Sequence, residues 1–122
     1  MKNLTDKDTF NAATSQEVFD FIAHHLLTQN EKSIRGYGCK YRSQRNLKCA
    51  AGCLISGKSY HRGFEHHTWD YVSKVLGMTN HEDLVMDLQR IHDNYSPREW
   101  VYELNFLAKL LNLSTSVLKE FE

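Results

Sequence analysis

Three cysteines, three histidines and eight cations crowd into residues 32–67, and they set the chemistry open to this chain. Cys39, Cys49, Cys53 and His61 are side chains that suit tetrahedral zinc. Their spacing, Cys-x9-Cys-x3-Cys-x7-His, contains no CxxC pair and fits none of the usual zinc knuckles. If helical, Cys49 and Cys53 share one face and read as small buried hydrophobes. The lone thiols carry no nucleophile signature. His61, His66 and His67 lie near Arg62 and Glu65, a combination that can serve phosphoester cleavage as acid–base and charge stabiliser. No acidic pair in the segment is placed to hold a catalytic magnesium ion. The expectation is therefore binding without catalysis, metal or cofactor, with a small histidine phosphoesterase as an alternative.

Charge gives the stronger signal. Residues 32–64 hold eight of the fifteen Lys and Arg and none of the fifteen Asp and Glu. The other 89 residues carry seven basic side chains against fifteen acidic ones, so a chain with no formal net charge is +8 here and −8 elsewhere. A solvated face normally mixes signs; a segment of one sign points to an anionic partner. Arg35, Lys40, Arg42, Arg45, Lys48 and Arg62 are the candidate phosphate ligands, since Arg grips a phosphate bidentately. Gly36, Gly38, Gly57 and Gly63 add backbone N–H groups that can face the same anion. Tyr37, Tyr41 and Tyr60 are candidate stacking rings for a base, and His61 completes the set. No Walker or dinucleotide fingerprint occurs.

The elements that must position these residues follow from periodicity. Residues 1–13 read as an arm, with Leu4 and Phe10 against the body. Thr14 and Glu17 form a capping box opening a helix to about Gln29, with Val18, Phe19, Ile22, Leu26 and Leu27 on one face. Cys39–Arg42 and Leu47–Cys49 are expected to pair as a hairpin around a turn at 43–46. Ala50–Ile55 is expected as a short buried helix, because Ala favours helix over strand. Thr68 caps a helix stopped by Gly77. Thr79 and Glu82 give a second capping box, and Ser96-Pro97-Arg98-Glu99 a third. Glu82, Asp83, Asp87 and Asp93 read as a solvated face, and His92 as paired with a neighbour. A last short helix starts at Ser114 or Thr115. The fold class is mainly α: one domain over 1–122, four to six helices and a small hairpin.

The totals agree with such a domain, at 41% hydrophobic and 25% charged residues. No apolar run approaches the ~20 residues that span a bilayer. The N-terminal residues lack the apolar stretch of a secretory signal, so a cytoplasmic protein with reduced thiols is expected.

The run Cys39-Lys40-Tyr41-Arg42, then Leu47-Lys48-Cys49-Ala50-Ala51-Gly52-Cys53-Leu54-Ile55 with Tyr60 beyond, resembles a block of small uncharacterised proteins from tailed bacteriophages and prophages. Leu88–Asp93, Trp100 and Leu107-Ala108 resemble the same proteins. In this chain Asn46 replaces a Gly, and Ser56-Gly57-Lys58 replaces an acidic, Pro-containing loop. The resemblance implies a phage accessory role in the host cytoplasm and brings no catalytic residues. Joined to the charge pattern, it leads to the expectation of an anti-defence protein that sequesters a small anionic, nucleotide-like ligand, as a homo-oligomer. The alternative partners are nucleic acid or a host protein.

Overall fold

Asp6 begins the folded chain by accepting the Thr9 N–H at 2.9 Å, which caps helix α1, Lys7–Ala12. The computed structural model describes residues 1–36 and 38–122. The expected arm thus contains a short helix, and Leu4 and Phe10 are fully buried on the body. Helix α2, Ser15–Gln29, starts at the expected capping box: Thr14 accepts the Glu17 N–H, and Glu17 accepts the Thr14 N–H. Its buried residues are Val18, Phe19, Ile22, Ala23, Leu26 and Leu27. Asn30, in the left-handed region at φ 53°, ends it. This face packs on the later helices and on a C-terminal 3-10 turn, Ser116–Phe121, which contributes the fully buried Leu118.

Helix α3, Trp69–Leu76, stops at Gly77, whose φ of 72° suits a residue without Cβ. Helix α4 runs Glu82–Asn94 and buries Leu84, Val85, Leu88, Ile91 and His92. Its expected capping box does not form. His81 stands at the N-cap in the left-handed region without a side-chain cap, and its Nε2 instead contacts the Ala13 carbonyl at 2.8 Å. A tertiary bond to α1's end thus overrides the local cap. Ser96 and Glu99 do form their box, and Pro97–Glu99 leads as a 3-10 turn into helix α5, Trp100–Leu110. The fold is mainly α, as expected.

The hairpin lies earlier than expected. Strands β1, Ile34–Arg35, and β2, Gly38–Cys39, pair antiparallel, with Ile34 opposite Cys39 and Arg35 opposite Gly38. Gly36 supplies the positive φ, 62°, of the connecting turn. Across the segments expected to pair, only a single bridge joins Arg42 to Lys48 around a 3-10 turn at Gln44–Asn46. The reason is competition: the N–H groups of Tyr41 and Arg42 donate to the Glu65 carboxylate, at 2.9 and 3.1 Å. Residues 49–55 are all buried, and Gly52–Leu54 forms a 3-10 turn, close to the short helix expected there.

Candidate functional site

The Glu65 carboxylate also accepts the Tyr60 hydroxyl at 2.5 Å, so one acidic side chain ties three points of the basic segment together. Arg42 lies over the Tyr60 ring, 4.8 Å from its centre, and donates to the Ile55 carbonyl at 2.7 Å. Two expected ligand residues, Arg42 and Tyr60, therefore sit inside a structural network. Tyr41 is buried, with its hydroxyl donating to the His67 carbonyl at 2.8 Å. Burial pushes the Tyr41 phenol well above its ordinary range, and burial with the Glu65 contact raises that of Tyr60 to about 12.

The remaining basic residues disperse. Arg45 is paired with Glu31 at 2.6 Å. Lys48 turns its backbone to the Gln29 amide and borders a separate hollow with His24 and His25. Arg35 is exposed on β1, and His61 and Arg62 are exposed at a 3-10 turn, Arg62–His66. His61 caps that turn, its Nδ1 accepting the Gly63 N–H at 2.9 Å. His67 stacks on Tyr71 at 4.1 Å. Tyr37 lies outside the described residues.

Lys40 alone among the expected cations joins Tyr41 in a cleft of about 270 Å³ between β2 and helices α3 and α4. Trp69 and Met86 supply apolar wall, Cys39 and Cys49 thiols, and Glu65, Gln89, Arg90 and Asp93 polar groups. The indole N–H of Trp69, a buried donor in this wall, has no acceptor among the described residues. An unpartnered buried donor is costly and calls for an explanation.

At the cleft wall, Cys39 and Asp93 meet His92 behind them, the three bringing their ligand-type atoms within 4.8 Å of one another. Among the described residues this is the one such group of three or more; the zinc set Cys39, Cys49, Cys53 and His61 does not assemble. His92 is fully buried and stacked on Trp100 at 5.6 Å. Its Nε2 accepts the Ser33 N–H at 3.0 Å, so the ring proton sits on Nδ1 and is donated to Asp93 Oδ1 at 2.8 Å. Both nitrogens are committed, which leaves no lone pair for a metal or a substrate proton. Burial and the Asp93 carboxylate raise the Cys39 thiol to about 12, and burial raises Cys49 to about 12. Cys53, donating to the Ala50 carbonyl, is raised further by burial. A thiol so placed is not a nucleophile.

Asp93 is the residue that sequence reasoning misplaces. It stands half-buried in the cleft wall, away from the solvated face expected of α4. Burial works to raise its carboxyl, but hydrogen bonds from His92, Cys39 and Gln89 outweigh that and hold it below the ordinary value. Sequence periodicity places Trp69 and Gln89 on helices and gives neither a role in a site. The available signal is faint: Gln89, Arg90 and Asp93 fall within about one turn of α4, next to the expected His92 pairing.

No protein-family model, no curated protein and no solved structure matches this chain.

Proposed function

We propose that this protein binds a small anionic, nucleotide-like ligand in the cleft and holds it without turnover. The observation that carries the reading is the cleft itself: Lys40 and Arg90 border a mostly apolar hollow in whose wall the Trp69 N–H lacks an acceptor among the described residues. A ring system packed among Trp69, Tyr41 and Met86, with its phosphate at the two cations, supplies the Trp69 N–H with an acceptor and Lys40 with a counter-charge, while Arg90, already paired with Asp87 at 2.6 Å, adds a shared donor. The volume, about 270 Å³, lies just below the range of about 300–1,000 Å³ typical of small-molecule sites, which limits the ligand to about one nucleotide unit. The raised thiols and the committed His92 favour binding over catalysis. The resemblance of the segment from Cys39 to Tyr60 to small tailed-phage and prophage proteins suggests a use for such binding: removal of a nucleotide signal of the host's defence.

A thermal-shift panel tests this, because a ligand of the native state alone raises the midpoint by mass action. The panel comprises cyclic di- and trinucleotides, ADP-ribose, NAD, and single- and double-stranded oligonucleotides. A shift with one small nucleotide, recovered intact and weakened by Lys40→Ala or Arg90→Ala, supports the reading. Recovery as a product makes the protein an enzyme. A shift with oligonucleotides only, falling with a log–log salt slope of about −0.7 to −0.9 per phosphate contacted, makes it a nucleic-acid binder. No shift overturns the reading.

One observation favours a second reading. Tyr102, Phe106 and Leu110 lie along one face of α5 and are 71%, 59% and 69% exposed. Such a stripe fits contact with another protein, a second copy included. A solution mass that falls on Phe106→Glu supports self-association; an unchanged monomer mass removes it.

A further inference from the structure

The two carboxylates of the cleft differ in their remaining capacity to accept. Glu65 takes the Tyr41 N–H on Oε1, and the Arg42 N–H and Tyr60 hydroxyl on Oε2. Asp93 gathers the His92 Nδ1–H and the Gln89 Nε2–H on one oxygen, Oδ1, at 2.8 and 2.7 Å. Neither of these donors reaches its other oxygen, Oδ2, and the third donor to the carboxylate, the Cys39 thiol, is a weak one that a stronger donor displaces. Gln89 is itself fixed, because its Oε1 accepts the Ala51 N–H at 2.9 Å. His92 is fixed by Ser33 and by its stack on Trp100. The carboxylate is thus held through Oδ1, and among the described residues Oδ2 keeps capacity to accept an N–H, in a wall shared with Trp69 and Met86. In an apolar setting such an oxygen strongly favours an N–H donor and repels a carbonyl.

We propose that Asp93 Oδ2 reads the amino edge of the bound base while Lys40 and Arg90 hold its phosphate. The site then selects nucleotides with an exocyclic amino group, of the cytosine or adenine kind, over their keto counterparts. This rests on the reading of the cleft as a nucleotide-like site. The pairs differ at one group: cytosine presents N4–H₂ where uracil presents O4, and adenine presents N6–H₂ where hypoxanthine presents a carbonyl. A keto base can offer its ring N–H only with a carbonyl oxygen beside it, and that oxygen meets the carboxylate's charge.

Calorimetric titration with CMP, UMP, AMP and IMP, on the wild type and on Asp93→Asn, tests the assignment. Asn keeps an oxygen for His92 and Gln89 and puts a donor, Nδ2, where Oδ2 was. The wild type is expected to bind CMP over UMP, and AMP over IMP, by at least about tenfold. Asp93→Asn is expected to reverse both preferences. Equal affinities within each pair, or a preference that Asp93→Asn leaves unchanged, overturn the assignment while the nucleotide reading stands. Failure of all four to bind at millimolar concentration overturns both. If Asp93→Asn does not fold, judged by its melting curve, the wild-type ratios alone decide.

Discussion

Gly52 lies against the backbone of Tyr41 so closely that a Cβ on Gly52 would overlap the Tyr41 carbonyl oxygen and come within 3.1 Å of its Cα. The contact joins the buried segment 49–55 to the residue that anchors both the cleft wall and the Glu65 network. Gly52→Ala is therefore expected to destabilise by about 1–3 kcal/mol, because backbone must move to admit the methyl group. A methyl group on Gly57 would meet nothing within 4 Å, and its φ is not positive, so Gly57→Ala is expected to stay within about 0.5 kcal/mol of the wild type. Denaturant unfolding of the two variants checks the contrast.

Glu65 holds three donors, two of them backbone N–H groups. Glu65→Ala strands all three and is expected to cost about 2–4 kcal/mol. Tyr60→Phe removes one bond and is expected to cost about 0.5–1.5 kcal/mol. Equal losses in urea unfolding would show that the backbone donors find other partners.

The depressed Asp93 carboxyl has a pH signature. Its folded value lies below the ordinary 3.8, so its contribution to stability is complete above that value and is lost as pH falls through the folded one. The melting-point difference between wild type and Asp93→Asn is expected to be constant at neutral pH and to shrink below 3.8. A difference that does not change down to about pH 2 would show that Asp93 is not held by its donors.

The thiols give a further test. With Cys39 and Cys49 raised to about 12 and Cys53 raised by full burial, little thiolate exists at about pH 8. Labelling by a thiol reagent is expected to run at least about a hundredfold slower in the native protein than in guanidinium, where all the thiols react. Fast native labelling of Cys39 would indicate an activated thiol and reopen the catalytic reading.

The sequence by itself determined the helical frame. Thr14 with Glu17, Ser96 with Glu99, Gly77 and the spacing of Val18, Phe19, Ile22 and Leu26 act over one or two turns, so residue types alone specify them. It also determined the segregation of charge between residues 32–64 and the rest. Only the tertiary structure decided which charges are available. Glu65 captures the N–H groups of Tyr41 and Arg42 across 24 and 23 residues, which displaces the hairpin and takes Arg42 and Tyr60 into a structural network. His81 takes the N-cap of α4 in place of the expected Thr79–Glu82 box and bonds to Ala13, 68 residues away. Asp93, one carboxylate among several on α4, becomes a cleft residue because Ser33 and Cys39 fold against that turn of the helix. Periodicity reports which face of a helix is buried; it carries no record of which distant side chain meets it, because that depends on loops whose course is set by long-range hydrogen bonds.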